Sequence, residues 1–189
     1  MLDDAAIERW SRQILLPEVG GTGQDLLNAA HVVVAGDGPA AALARILVQR
    51  AGPILVEDAG DATVLVDVSD DPTTRARLAD HALMTGVPLV CGHGIGTVGA
   101  VATLVGRPCG HCWDPAPSGA TTPSADATAT GALRHVAPMA LGALVAAEAL
   151  YALLLEPGMG RVQHLDLVAG TFAGPLEATG VCGRCGADA

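Results

Sequence analysis

His31-Val32-Val33-Val34-Ala35-Gly36-Asp37-Gly38-Pro39 decides the fold of this chain. The run His31–Ala35 is rich in β-branched residues and favours a short apolar strand. Gly36-Asp37-Gly38 then breaks that strand with a tight turn. Pro39 stands where a helix tolerates proline best, at a first helical position whose N–H has no intrahelical acceptor. Ala40–Arg50 continues as a helix, with Leu43, Ile46 and Leu47 predicted on its core face. Strand, glycine turn and helix open a Rossmann-like βαβ unit. The expected fold class is therefore α/β: a mostly parallel, Rossmann-like sheet flanked by helices.

Working outward, residues 3–16 read as an amphipathic helix capped by Asp3 or Asp4, with Trp10 and Ile14 on one face and Arg9 and Arg12 on another. A turn is expected at Gly20-Gly21-Thr22-Gly23, then a short helix over Gln24–Ala30. Downstream, Ile54–Glu57 and Thr63–Val68 read as strands. Asp70-Asp71-Pro72 starts a helix that runs to about Thr85 and is closed by Gly86, and Pro88–Cys91 is a further buried strand. From Thr97 the texture changes. Val98–Val105 and Val162–Phe172 read as longer strands forming a C-terminal antiparallel portion. The Pro/Ser/Thr/Ala-rich stretch 114–131 reads as a mobile loop. We expect one domain over 1–189: an N-terminal helical arm (1–30), a shortened Rossmann-like part (31–92) and a C-terminal part (93–189).

Half of the 189 residues are apolar, yet only two Trp, one Tyr and one Phe are present, so the core must be aliphatic. The net charge of −10 and the absence of any basic stretch exclude nucleic acid and anionic membrane surfaces as partners. All basic residues are Arg, which rules out any mechanism that needs a lysine. Met1-Leu2-Asp3-Asp4 lacks a charged-then-apolar export pattern, which reads as cytoplasmic. Residues 136–155 have the length and apolarity of a membrane span. Glu148 inside the stretch favours a helix buried by protein instead, with Arg134 as one candidate partner for the carboxylate.

Cys109-Gly110-His111-Cys112 and Cys182-Gly183-Arg184-Cys185 use four of the five cysteines. Each pair presents two thiolates on a tight turn, and two such turns complete a tetrahedral sulfur site that zinc favours. The fold must then bring the pairs together, with structural zinc stapling the C-terminal tail to the body. Two redox dithiols are the alternative, but neither pair sits in a thioredoxin-like βαβ context. Two local disulfides fit poorly with a chain that shows no export signal. Cys91, at a strand end, reads as a small buried hydrophobe.

Several blocks together resemble the ThiF/MoeB family, the bacterial relatives of ubiquitin-activating enzymes. They are RWSRQILLPEVGGTGQ (9–24), HVVVAGDG (31–38), VLVDVSDDPTTRARLADHALMTGVPLVCG (64–92), GRPCGHCWDP (106–115), HVAPMALGALVAAEALYALL (135–154), RVQHLDLVAGTF (161–172) and VCGRCG (181–186). The resemblance implies a homodimer that binds ATP and Mg²⁺ and adenylates the carboxyl terminus of a ubiquitin-like sulfur carrier or a peptide. It implies that Gly36 and Gly38 are phosphate-loop glycines, that Asp70 holds the metal ion, that Glu57 or Asp58 holds ribose, and that Arg12 reaches the nucleotide of the neighbouring subunit. The four paired cysteines fall where the family places its zinc knuckles.

The departures all fall on the nucleotide side. The family's loop reads Gly-x-Gly-Gly-x-Gly, whereas this chain has Gly36-Asp37-Gly38-Pro39-Ala40-Ala41. Pro39 removes an N–H donor, and an inward Asp37 would repel phosphate at a helix N-terminus. The family's Asn-x-x-Arg-Gln segment and its lysine are both absent. Such cations carry most of the charge stabilisation in nucleotidyl transfer. ATP and Mg²⁺ are thus in question, and the reading is a shortened, non-catalytic member that binds a carrier or peptide. An active adenylyltransferase using Asp70 and Arg12 is the alternative. Plainer readings stand beside each residue: Asp70-Asp71-Pro72 as a helix start, Gly36 and Gly38 as requirements of the turn, Arg12 as a solvated or ion-paired side chain. His93, among Gly92, Gly94, Gly96 and Gly99, lies near the expected crevice, where glycines leave room for a peptide tail.

Overall fold

β1 (His31–Ala35) lies inside a seven-stranded sheet of order β2-β1-β3-β4-β5-β6-β7 in the computed structural model, which describes residues 2–113, 131–155, 160–167, 170–175 and 182–186. Its three valines are buried, as a strand covered on both faces requires. β2 (Ile54–Leu55), β3 (Val64–Asp67) and β4 (Leu89–Ile95) run parallel to it. From β4 onward the sheet is antiparallel, through β5 (Val98–Leu104), β6 (Arg161–Asp166) and β7 (Gly170–Pro175). The stretch 114–130, read as a mobile loop, lies outside the described residues.

α3 (Pro39–Ala51) and α5 (Gly131–Leu154) cover one face, and α4 (Pro72–Thr85) covers the other. The α3–α5 seam is built from small residues. Ala40, Ala41, Ala44 and Val48 face Val145, Ala146 and Ala149, and a Cβ at Gly142 would stand 2.4 Å from the carbonyl oxygen of Ala40. The core face of α3 therefore matches the expected one only in part: Leu47 packs against the core, but the face is led by smaller residues. Ala41, Ala44 and Val48 are buried and Ile46 is 49% exposed, because the helices approach too closely for larger side chains. On the α4 side, Leu65, Leu78, Leu89 and Trp113 fill a second core.

Three other expectations change. Gly20–Gly23 is not a turn ahead of the helix but the first turn of α2 itself (Gly20–Ala29), which begins with Gly20 at φ +57°. Val162–Phe172 is a hairpin of β6 and β7, not one strand. The strand ending at Cys91 runs on to Ile95, so His93 pairs with Ala100 inside a β4–β5 hairpin. The return from β2 to β3 is equally informative. The two strands are not neighbours: they pair with β1 on its opposite sides, and residues 56–63, with one 3₁₀ turn at Ala59–Asp61, pass from one side to the other.

His135–Leu154 is long and apolar enough to cross a membrane, and 44% of that window is buried against the rest of the chain. Glu148 within it is 2% exposed and is held by the Thr103 hydroxyl at 2.7 Å, Arg161 Nε at 2.9 Å and Gln163. The cation facing Glu148 is thus Arg161 of β6, while the side chain of Arg134 lies outside the described residues.

Candidate functional site

At the carboxyl ends of the parallel strands a 330 Å³ groove opens between the α3 N-terminus, the β3–α4 turn, the β4–β5 hairpin and α5. Gly38 and Pro39, Asp70, His93, and Ala137 with Pro138 contribute its walls. Among the described residues its titratable side chains are Asp70 and His93, and no described arginine lines it.

The two glycines of the β1–α3 turn have separate jobs. Gly36 has φ +119°, and a Cβ there would lie 2.8 Å from the Val68 carbonyl oxygen, so the fold itself demands glycine. Gly38 has φ −79° and ψ 178°, which any residue adopts, and no atom lies within 4 Å of where its Cβ would stand. The turn does not require glycine there. What a side chain at 38 would occupy is groove.

Asp70 is exposed on a turn that is firmly held. The buried Asp67 carboxylate accepts from the Ser69 amide at 3.0 Å, the Ser69 hydroxyl at 2.6 Å and Arg75 Nε at 2.9 Å, while Arg75 also donates to the Ser69 carbonyl at 3.1 Å. On the other side of Asp70, Asp71 caps α4 by accepting from the Thr73 and Thr74 amides. The Thr74 hydroxyl, then these amides, hold its carboxyl below the ordinary range.

The remaining nucleotide candidates are not gathered at the groove. Arg12 is exposed on α1 (Asp4–Ile14), whose main neighbour is α2. Asp58 caps the 3₁₀ turn, accepting from the Gly60 amide at 2.9 Å. Glu57 lines a second cavity of 560 Å³ with Asp37, Arg45 and Arg77. Arg45 donates to the carbonyls of Val34 and Gly36, both at 2.7 Å, and so clamps the end of β1. Sequence reasoning missed Arg45, Arg75 and Arg77. Each sits in a helix whose pattern gives no sign of which way a long side chain reaches.

The four paired cysteines do converge. Their sulfurs all lie within 4.8 Å of one another, with Cys109–Cys112 at 3.8 Å, Cys109–Cys182 at 3.9 Å and Cys112–Cys185 at 3.5 Å. A tetrahedral ion with sulfur ligands at about 2.3 Å has an edge of about 3.8 Å. A disulfide would need about 2.05 Å. The donor set therefore fits a tetrahedral metal ion. Burial pushes the Cys109 and Cys112 thiols up. The Cys185 and Arg184 amides draw Cys182 down to about 6. Cys91, apart from the cluster, is fully buried with its thiol pushed up by desolvation, as a packing residue would be.

Both knuckles rest on α4. A Cβ at Gly110 would meet Ala79 Cβ at 2.5 Å, and Asp80 takes His111 Nε2 at 2.9 Å and Arg184 at 3.6 Å.

No family model matches the chain. It is 29% identical to the SAMP-activating enzyme E1 of Haloferax volcanii over 254 aligned positions, covering 99% of this chain and 93% of the relative. It is 30% identical to the sulfur carrier protein adenylyltransferase of Thermus thermophilus over 235 positions, covering 88% of this chain and 85% of the relative. Alignments of that length against 189 residues mean that the relatives carry internal segments skipped here. Among solved structures, E. coli MccB with MccA-N7isoASN superposes with a TM-score of 0.66 at 14% identity, covering 98% of this chain and 76% of that one.

Proposed function

Because the chain belongs to the ThiF/MoeB family of ubiquitin-activating-enzyme-like proteins, we propose that it is a non-catalytic, dimeric binding subunit. Its groove would take the glycine-ended tail of a ubiquitin-like sulfur carrier or a peptide, and another protein would adenylate that tail. The four-cysteine centre takes structural zinc.

The observation that carries this reading is the charge of the groove. A triphosphate needs fixed cations, and the described residues of the groove offer none: they supply one carboxylate, one imidazole and a proline in place of an amide donor. Gly38 leaves the cradle open, but its lining does not fit a polyanion. A slim neutral chain fits better. At Gly38 no side chain stands between the groove and the backbone, whereas Gly92, Gly94 and Gly99 are kept small by Val145, Leu141 and the His93 carbonyl, and a single carboxylate at the end of a tail can meet the His93 ring.

Calorimetry on zinc-replete protein tests this. We expect no saturable ATP–Mg²⁺ binding at millimolar nucleotide, and saturable binding of a peptide ending in Gly-Gly with a free carboxylate. The carboxyl-terminal amide of that peptide should bind about ten-fold more weakly, and His93→Ala should erase the difference. Micromolar ATP binding would overturn the proposal.

One observation favours a second reading, active adenylation. Asp70 stands in the groove, and Arg45 and Arg77 gather at the neighbouring cavity. However, Arg45 is committed to the Val34 and Gly36 carbonyls, and Asp37 and Glu57 share the cavity. If this reading holds, carboxylate-dependent pyrophosphate exchange will be measurable and will vanish in Asp70→Ala.

A further inference from the structure

We propose that Arg75 is a positioning residue that couples the four-cysteine metal centre to the groove, with α4 as the rigid link between them. Trp113, directly after Cys112, is 6% exposed, and the Arg75 guanidinium lies over its ring at 5.6 Å from the centroid. From there Arg75 reaches forward with both ends of its fork: Nε to the buried Asp67 carboxylate, NH2 to the Ser69 carbonyl. Those two bonds, with the Ser69 amide and hydroxyl on the same carboxylate, fix the turn that presents Asp70 to the groove. The path from Cys112 to Asp70 is thus unbroken: indole ring, guanidinium, carboxylate, turn.

Two further contacts anchor the same helix to the centre. Gly110 presses on Ala79, and Asp80 receives one side chain from each knuckle, His111 and Arg184. α4 therefore carries the metal centre on its middle and the Asp70 turn at its N-terminus. Metal holds the two knuckles together, the knuckles hold Trp113, and the indole limits where Arg75 can lie. Loss of the ion should first be felt as loosening of residues 67–71, before any loss of the sheet. Arginine suits this task because its planar fork can take two acceptors while its face lies on a ring, which an ammonium cannot do. The inference rests on the four-cysteine centre binding metal and is independent of what occupies the groove.

Hydrogen exchange at the Ser69 amide tests it, read against the Val32–Val34 amides as a control for global folding. Zinc-loaded Trp113→Leu should keep its metal and its β1 protection while Ser69 exchanges about ten-fold faster. Arg75→Gln should give the same result, and Arg75→Lys should not restore protection. In Trp10→Phe protein, where Trp113 is the sole tryptophan, chelating the metal should shift the emission and raise Ser69 exchange together. That chelator dependence should be lost in Arg75→Gln. Unchanged Ser69 exchange in metal-loaded Trp113→Leu overturns the coupling and leaves the metal centre intact as a reading. Rescue by Arg75→Lys overturns the fork-and-ring account. A reconstituted protein that binds no zinc overturns both.

Discussion

Gly36 and Gly38 show how one motif can hide two different causes. In sequence, Gly-Asp-Gly is a single tight turn that accounts for both glycines. The structure separates them, because the sign of φ and the distance to Val68 are tertiary facts. Gly36→Ala must place a Cβ against the Val68 carbonyl at positive φ, which should cost about 2 kcal/mol in a denaturant melt. Gly38→Ala has ordinary dihedrals and open space, so stability should hold within about 0.5 kcal/mol. The same substitution should weaken binding of the glycine-ended peptide, since its methyl enters the groove. Equal destabilisation by both variants would return Gly38 to a turn requirement. At this scale the cysteine site was the most legible feature. Two thiolates per short turn leave little choice of chemistry, whereas Arg75 and Arg45 gave no signal before their neighbours were known.

Helices and strands were legible where local chemistry was strong. The caps at Asp3 and Asp71, Pro39 at a first helical position and Gly86 at φ +76° all fall at or beside their expected positions. Legibility failed where tertiary packing overrode the pattern. Leu167-Val168-Ala169-Gly170 contains no strong turn dipeptide, so the β6–β7 hairpin read as one strand. On α3, bulk suggested Ile46 as core, but backbone proximity to α5 selected the alanine face. Gly142 measures that proximity. Helix propensity alone predicts that Gly142→Ala stabilises by about 1 kcal/mol. A Cβ 2.4 Å from the Ala40 carbonyl is backbone overlap, and such overpacking costs about 1–3 kcal/mol. We expect packing to win, with a lower melting temperature; a gain would mean that α3 and α5 can part without penalty. Asp71 adds a pH test. Its carboxyl is depressed below 3.8 in the folded chain, so its contribution is present above that pH and lost as pH falls through the folded value. The melting-temperature gap between wild type and Asp71→Ala should therefore close on acidification below 3.8. A constant gap would assign the cap no ionic part.

For the whole molecule, the unanswered demand is the apolar face of α1. The helix has no fully buried residue; Ile7 is 48% exposed, and the adjoining Leu15 and Leu16 are 81% and 50% exposed. An amphipathic helix that covers so little among the described residues offers an apolar face to another surface, and the dimer we propose would supply a second copy. The forces involved dictate an unusual salt response. Each chain carries a net charge of −10, so two copies repel, and salt screens that repulsion. An interface held by apolar burial should then tighten as salt rises. One held by Arg9 and Arg12 ion-paired across the subunits should loosen instead. Sedimentation equilibrium at low and high sodium chloride distinguishes them, and we expect a dimer whose dissociation constant falls with salt. Ile7→Glu should yield monomers that keep wild-type circular dichroism and zinc content, because Ile7 is half exposed and belongs to none of the core clusters of the described residues. A wild-type protein that stays monomeric at tens of micromolar in high salt would remove the dimer and leave the groove to work within a single chain.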